Sequence, residues 1–138
     1  MIYLDANIFV HAMIENSAIG NSCRKLMSKI DDGELIAGTS LLTVDEVVWA
    51  IKRHVGYKEG IEYGNKILKS SSLSFLPINR SEVLKSFNMM EIGLRPRDAL
   101  HAATCLNYGI FSILTTDPDF KKVNELDVFS PEEFLKRI

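Results

Sequence analysis

The sequence predicts a three-layer α/β/α sandwich around a central, mainly parallel sheet, and three observations predict it. Short apolar runs alternate with longer stretches of helical period, the pattern of a parallel sheet covered by helices on both faces. The helix-like stretches stop at glycines, Gly56, Gly93 and Gly109, as C-terminal caps require. Hydrophobic residues make up 46% of 138 positions, enough to fill such a core in one domain spanning residues 1–138.

The elements follow in order. Ile2-Tyr3-Leu4 forms a strand closed by Asp5. Cys23, Leu26, Met27 and Ile30 lie at helical spacing within Ser22–Ile30, and Asp32-Gly33 ends that helix. Leu35-Ile36-Ala37 is the second strand. Leu41–Val55 is a helix carrying Leu41, Leu42, Val44, Val47, Val48 and Ile51. Tyr57–Leu68 is another, weakened by Gly60 and Gly64 inside it. Leu73–Ile78 gives the third strand. Ser81 caps a helix through Met90, and Ala99–Tyr108 forms the next. Ile110–Leu114 is the fourth strand, Val128-Phe129 a short fifth, and Pro131 opens a last helix at its first position.

Composition excludes several function classes. Charged residues are 25%, the globular average rather than that of a disordered chain. The net charge of −2 is no footprint for holding nucleic acid by bulk attraction, so any such role rests on a local patch and bound cations. Cys23 and Cys105 stand far apart outside any zinc-ligand spacing and read as small core hydrophobes. No apolar run approaches the ~20 residues of a membrane span, and the start Met1-Ile-Tyr-Leu-Asp5 lacks the basic segment of a secretory signal, so a cytoplasmic protein is expected.

The chemistry lies in the acids. Ligands of a parallel sheet sit beyond the carboxyl ends of its strands. Asp5 closes the first strand and Asp117 follows the fourth. Glu46 lies early in the helix after strand two. Asp98 begins a helix antiparallel to the strands, whose N-terminus faces the same edge. Each has a local alternative. Asp98 suits a cap or first turn, Thr43-x-x-Glu46 has the spacing of a capping box, and Asp117-Pro118 is a turn signal. Asp5 has no helix to cap unless one starts at Asn7. Together, four acids meeting without a cation beside them in sequence would repel one another, and a hard divalent ion is the usual relief.

Ile2-Tyr-Leu-Asp5-Ala-Asn7, Thr43-Val-Asp-Glu46-Val, Arg97-Asp98-Ala-Leu-His-Ala-Ala103 and Leu114-Thr-Thr-Asp117-Pro-Asp119-Phe120 resemble the successive motifs of PIN-domain nucleases, in order, from residue 2 to residue 120. The length resembles that of small VapC-type toxins. The resemblance implies bound Mg²⁺ or Mn²⁺ and endonucleolytic cleavage of RNA, leaving 5′-phosphate and 3′-hydroxyl ends. It implies Asp5, Glu46, Asp98 and Asp117 as the metal-site acids, with Asp119, Asn7, Thr115 and Thr116 auxiliary. Ala6 departs from the pattern, where many relatives carry Ser or Thr, and Asp45 rivals Glu46. An antitoxin protein entering the acidic groove and a homodimer through Tyr57–Leu68 are also implied.

Arg95 and Arg97, at the start of the helix that carries Asp98, are the best phosphate clamps, with Lys52 and Arg53 as further RNA contacts. Lys121 and Lys122 read as a solvated face. His101, one turn from Asp98, is expected to pack or cap locally, with a contact to the site as the alternative; His11 and His54 carry no assignment. Trp49, one turn beyond Glu46, is expected in the core rather than as a base-stacking platform, and Met89-Met90 in packing or at a partner surface. An aspartyl phosphotransferase would need Asp where Asn7 stands, and no phosphate-binding glycine loop is present. A housekeeping RNA-processing nuclease, and a non-catalytic metal- or partner-binding module on the same fold, are the alternatives.

Overall fold

Asp5 does have a helix to cap. In the computed structural model, which describes residues 1–138, strand β1 (Ile2–Leu4) passes through Asp5 directly into helix α1 (Ala6–Ile14), and the Asp5 side chain accepts a hydrogen bond from the Ala6 amide. The segment Ala6-Asn-Ile-Phe-Val-His-Ala-Met-Ile14 is apolar around most of its circumference, so it shows no clear helical stripe in sequence. It buries Ala6, Ile8 and Phe9.

Helix α2 (Ala18–Asp31) follows and is longer at its start than the periodicity predicts. Strand β2 is Ala37–Ser40, displaced from the expected 35–37. Its Ala-Gly-Thr-Ser sequence lacks an apolar signature, yet all four residues are buried. Gly38 admits the neighbouring strand closely, since a Cβ there would stand 3.3 Å from the Ser74 carbonyl oxygen. The Thr39 hydroxyl is satisfied internally, donating to the Leu4 carbonyl at 2.8 Å and lying 2.6 Å from the Thr43 hydroxyl.

Helices α3 (Leu41–His54) and α4 (Tyr57–Leu68) match expectation at both ends within a residue. The α4 glycines serve packing: Gly60 and Gly64 are buried where α4 crosses Val48 of α3. Ile67 is buried too, while Tyr57, Ile61 and Leu68 remain exposed on the same helix. Strand β3 (Leu73–Leu76) stops before Pro77. Helix α5 (Arg80–Glu91) begins one residue before Ser81, because Glu82 reaches back to the Asn79 amide and makes Asn79 the cap. Helix α6 (Pro96–Asn107) begins three residues before Ala99, with Pro96 at its first position.

Strand β4 is Ser112–Leu114, shorter than the apolar run predicts. Ile110 instead closes the C-terminal cap that follows α6, where its amide bonds the Cys105 carbonyl and Gly109 takes a φ of 69°. A 3-10 turn (Pro118–Lys122), strand β5 (Asp127–Phe129) and helix α7 (Pro131–Arg137) complete the chain. No helix is long and apolar enough to cross a membrane.

All five strands are parallel, in the order β3-β2-β1-β4-β5. The chain builds outward from β1 on one side and then crosses to β4 on the other, so the order reverses at β1. Ligand crevices of open parallel sheets form at the carboxyl side of such a reversal. Alternation along β1 divides the core. Ile2 and Leu4 join Ile8, Phe9, Cys23, Leu26, Val47 and Ile51 on one face, and Tyr3 joins Ala99, Ala102, Cys105, Ile113 and Phe120 on the other. Both cysteines are free and buried, one in each layer, and Met89 packs beside the second.

Candidate active site

At the β1–β4 reversal lies an open cavity of about 300 Å³, lined by Asp5, Asn7, His11, Glu46, Trp49, Arg97, Asp98 and Asp117 among others. The four acids that the sequence sends to one edge therefore share one pocket. Each arrives differently. Asp5 follows β1. Glu46 stands in the second turn of α3, and Asp98 in the first turn of α6. Asp117 follows β4 and caps the 3-10 turn through the Asp119 amide at 2.9 Å. Asp45, the rival to Glu46, is exposed and outside the pocket.

Thr43 and Glu46 do not form a capping box, because α3 starts at Leu41 and Ser40 occupies the cap. Glu46 is thereby free of its own helix end and turns toward α6.

Asp5 is 5% exposed, and both its oxygens are hydrogen-bonded. One oxygen accepts from the Ala6 amide at 2.7 Å; the other accepts from Thr115 Oγ1 at 2.7 Å and Asn7 Nδ2 at 3.0 Å. Asn7 also accepts from the Thr116 amide, and Thr115 Oγ1 accepts from the Asp117 amide. Asn7, Thr115 and Thr116 thus tie the β1 and β4 exits together, fixing the Asp5 carboxylate and the Asp117 backbone at once. The Asp119 carboxylate lies apart from the pocket, 3.5 Å from Lys122 Nζ.

His101 does not pack or cap locally, as its helical position suggests. It is completely buried, with Nε2 2.5 Å from Glu46 Oε1 and 3.8 Å from Asp5 Oδ1. Its Nδ1 lies 2.6 Å from the Tyr3 hydroxyl, which donates to Ser40 Oγ at 2.9 Å. His11 also lines the pocket, Nε2 3.4 Å from Thr116 Oγ1. Position i+3 from Asp98 places His101 near the acids; only the fold shows that it faces inward.

Trp49 is not a core residue. It is 51% exposed at the pocket rim, and the Arg53 guanidinium lies 4.6 Å from its ring centroid. Arg97 lines the same pocket, whereas Arg95 is exposed at the cap of α6. Lys52 leaves the site and lies over the Tyr57 ring. None of these cations forms an ion pair.

The electrostatics follow from crowding. Burial raises the Asp5 pKa above its ordinary range, against the lowering effects of His101 and Thr115. Burial and then the charges of Asp5 and Asp117 push Asp98 up to about 6. Burial alone would lower His101; the Glu46 hydrogen bond and the charges of Asp5, Glu46 and Asp98 outweigh it and raise its pKa. The side chains line the pocket without three or more closing into a group that could hold a metal ion directly between them.

The sequence matches the PIN domain family model over residues 2–126. The chain belongs to the PIN-domain family. Among its relatives, ribonuclease VapC2 of Methanocaldococcus jannaschii is 28% identical over 145 aligned positions, covering 92% of this chain and 91% of the relative. The PIN fold here superposes on Mycobacterium tuberculosis VapC20, described as a Sarcin-Ricin loop cleaving toxin, with a TM-score of 0.74 at 15% identity, over 88% of this chain and 93% of that one. It also superposes on a chain of a toxin–antitoxin complex from Klebsiella pneumoniae, with a TM-score of 0.67 at 17% identity, over 95% and 98% of the two chains.

Proposed function

We propose that this PIN domain, as one unit over residues 1–138, is a divalent-cation-dependent endoribonuclease and the toxin half of a toxin–antitoxin pair. One observation carries the reading: Asp5, Glu46, Asp98 and Asp117, from four separate segments, line one open pocket at the sheet reversal with no lysine or arginine ion-paired to them. The names of the similar VapC ribonuclease and of the toxin–antitoxin complex support the substrate class and the partner.

The donors fit a hard cation. They are carboxylate oxygens flanked by amide and hydroxyl groups, and both thiols lie in the apolar layers. Such donors suit Mg²⁺ or Mn²⁺ rather than a thiophilic metal. Since the acids do not close on one centre, an ion would be held partly through water, as Mg²⁺ prefers. Asp5, Asp98 and Asp117 would hold it, and Glu46 would orient the attacking water. When bound, the ion lowers the pKa of water and offsets phosphate charge.

The chain's own groups do the rest. Thr115, Asn7 and the Ala6 amide keep Asp5 in one rotamer, and His101 does the same for Glu46. Arg97, with Arg95 beyond it, offers the phosphodiester a cation beside the acids. Hydrolysis leaves a 5′-phosphate and a 3′-hydroxyl.

Induced expression tests the biological role. The wild type should arrest growth, Asp117→Asn should not, and co-expression of a small DNA-binding protein encoded beside it should restore growth. Arrest by both forms contradicts the proposal. A processing role is indicated if neither arrests growth while the purified protein cleaves a defined RNA.

A further inference from the structure

Glu46, Trp49, Ala50 and Arg53 follow one face of α3 at helical spacing, and the first three line the acid pocket. A half-exposed indole at a cavity rim leaves a large apolar area in water that burial would stabilise. Here one side of that ring is occupied by the unpaired Arg53 guanidinium, and unpaired Arg97 lies in the same pocket. An aromatic plane backed by a cation, at the rim of the acidic pocket proposed to take a phosphodiester, is the arrangement that takes an unstacked nucleobase.

We infer that Trp49, backed by Arg53, is a stacking platform for one unpaired base next to the cleaved phosphodiester of a single-stranded RNA segment. The inference deepens the nuclease reading and rests on it for the position of the phosphate. A base inside a duplex has both faces covered by its neighbours and cannot use the platform. Because every base has a π-face, the platform selects single-stranded structure rather than sequence.

Trp49 is the only tryptophan in the chain, so its fluorescence reports the contact directly. The probe is a single-stranded RNA 12-mer titrated into the Asp98→Asn protein with Mg²⁺, beside the same 12-mer annealed to its complement. The single strand should quench the emission, and the duplex should do so at least fivefold more weakly. In parallel steady-state cleavage, Trp49→Ala should raise KM roughly tenfold with a smaller loss in kcat, while Trp49→Phe keeps KM within about threefold. Unchanged emission at RNA concentrations that saturate cleavage overturns the platform and leaves the nuclease intact. Quenching by single-stranded RNA without any cleavage by the wild type supports the platform and removes the nuclease reading. Equal quenching by the duplex, or quenching by a protein partner alone, overturns the inference.

Discussion

Nε2 of His101 and Oε1 of Glu46 lie 2.5 Å apart, joining α6 to α3 across 55 positions of sequence. The raised pKa of His101 favours the doubly protonated ring. In that form both ring nitrogens donate, one to Glu46 and one to the Tyr3 hydroxyl, which passes its own proton toward Ser40. A polar thread thus runs from β1 and the end of β2 beneath the pocket to one of its carboxylates. No atom in it is left unpaired.

Replacing His101 by alanine removes a buried ring and strips Glu46 and Tyr3 of a partner. We expect a loss of about 3 kcal/mol, read as a lower urea midpoint at unchanged slope. The loss should be largest at acidic pH. A raised folded pKa means that the His101 contribution is complete below the unfolded value of about 6.5 and declines as pH rises through the folded value. A loss that grows with pH contradicts the charged pairing.

Asp98 gives a second pH signature in protein freed of divalent ions. Its folded pKa of about 6 lies above the ordinary value of 3.8. The folded state therefore holds the proton more tightly, and stability falls as pH rises from about 4 to about 6. Asp98→Asn should escape that fall and be more stable than wild type at pH 8 by about 1 kcal/mol, after allowance for screening at a half-exposed group. Thermal melts of both proteins in EDTA at pH 4 and pH 8 test it; the gap should open only at the higher pH.

Cation binding should reverse that order. An ion that binds only the folded state stabilises it by about 2.7 kcal/mol at a hundredfold excess over its Kd. Mn²⁺ should raise the Tm of wild type, and raise that of Asp98→Asn much less. Equal shifts in both proteins would place the ion elsewhere.

Gly60→Ala should destabilise the fold although alanine favours helices. A Cβ at Gly60 would stand 2.8 Å from the Val48 carbonyl oxygen, a backbone atom that cannot rotate away. Overpacking of about 1–3 kcal/mol exceeds the helix-propensity gain of about 1 kcal/mol, leaving a modest net loss in chemical denaturation. A stabilised variant would mean that α3 and α4 separate easily.

The positions of Asp5, Asp98 and Asp117 were legible in the sequence because strand ends and helix starts follow from period and punctuation. What stayed hidden had a physical cause in each case. Helix α1 is apolar around most of its surface and shows no stripe. Strand β2 is built of Ala-Gly-Thr-Ser and is buried through close approach and internal hydroxyl bonds instead of bulk. Trp49 was expected in the core by residue type, yet α3 turns it to the pocket rim. The His101 contact with Glu46 depends on how α3 and α6, packed on opposite faces, come together at the carboxyl edge of the sheet, which no local spacing encodes.

The central claim is most directly tested by incubating wild type and Asp5→Asn with a 5′-labelled RNA carrying a single-stranded loop, in Mn²⁺ and in EDTA, with circular dichroism showing that the variant folds. Cleavage by wild type only, only with the metal, and leaving 5′-phosphate ends is the predicted result. Cleavage that persists in EDTA or in Asp5→Asn would contradict the account.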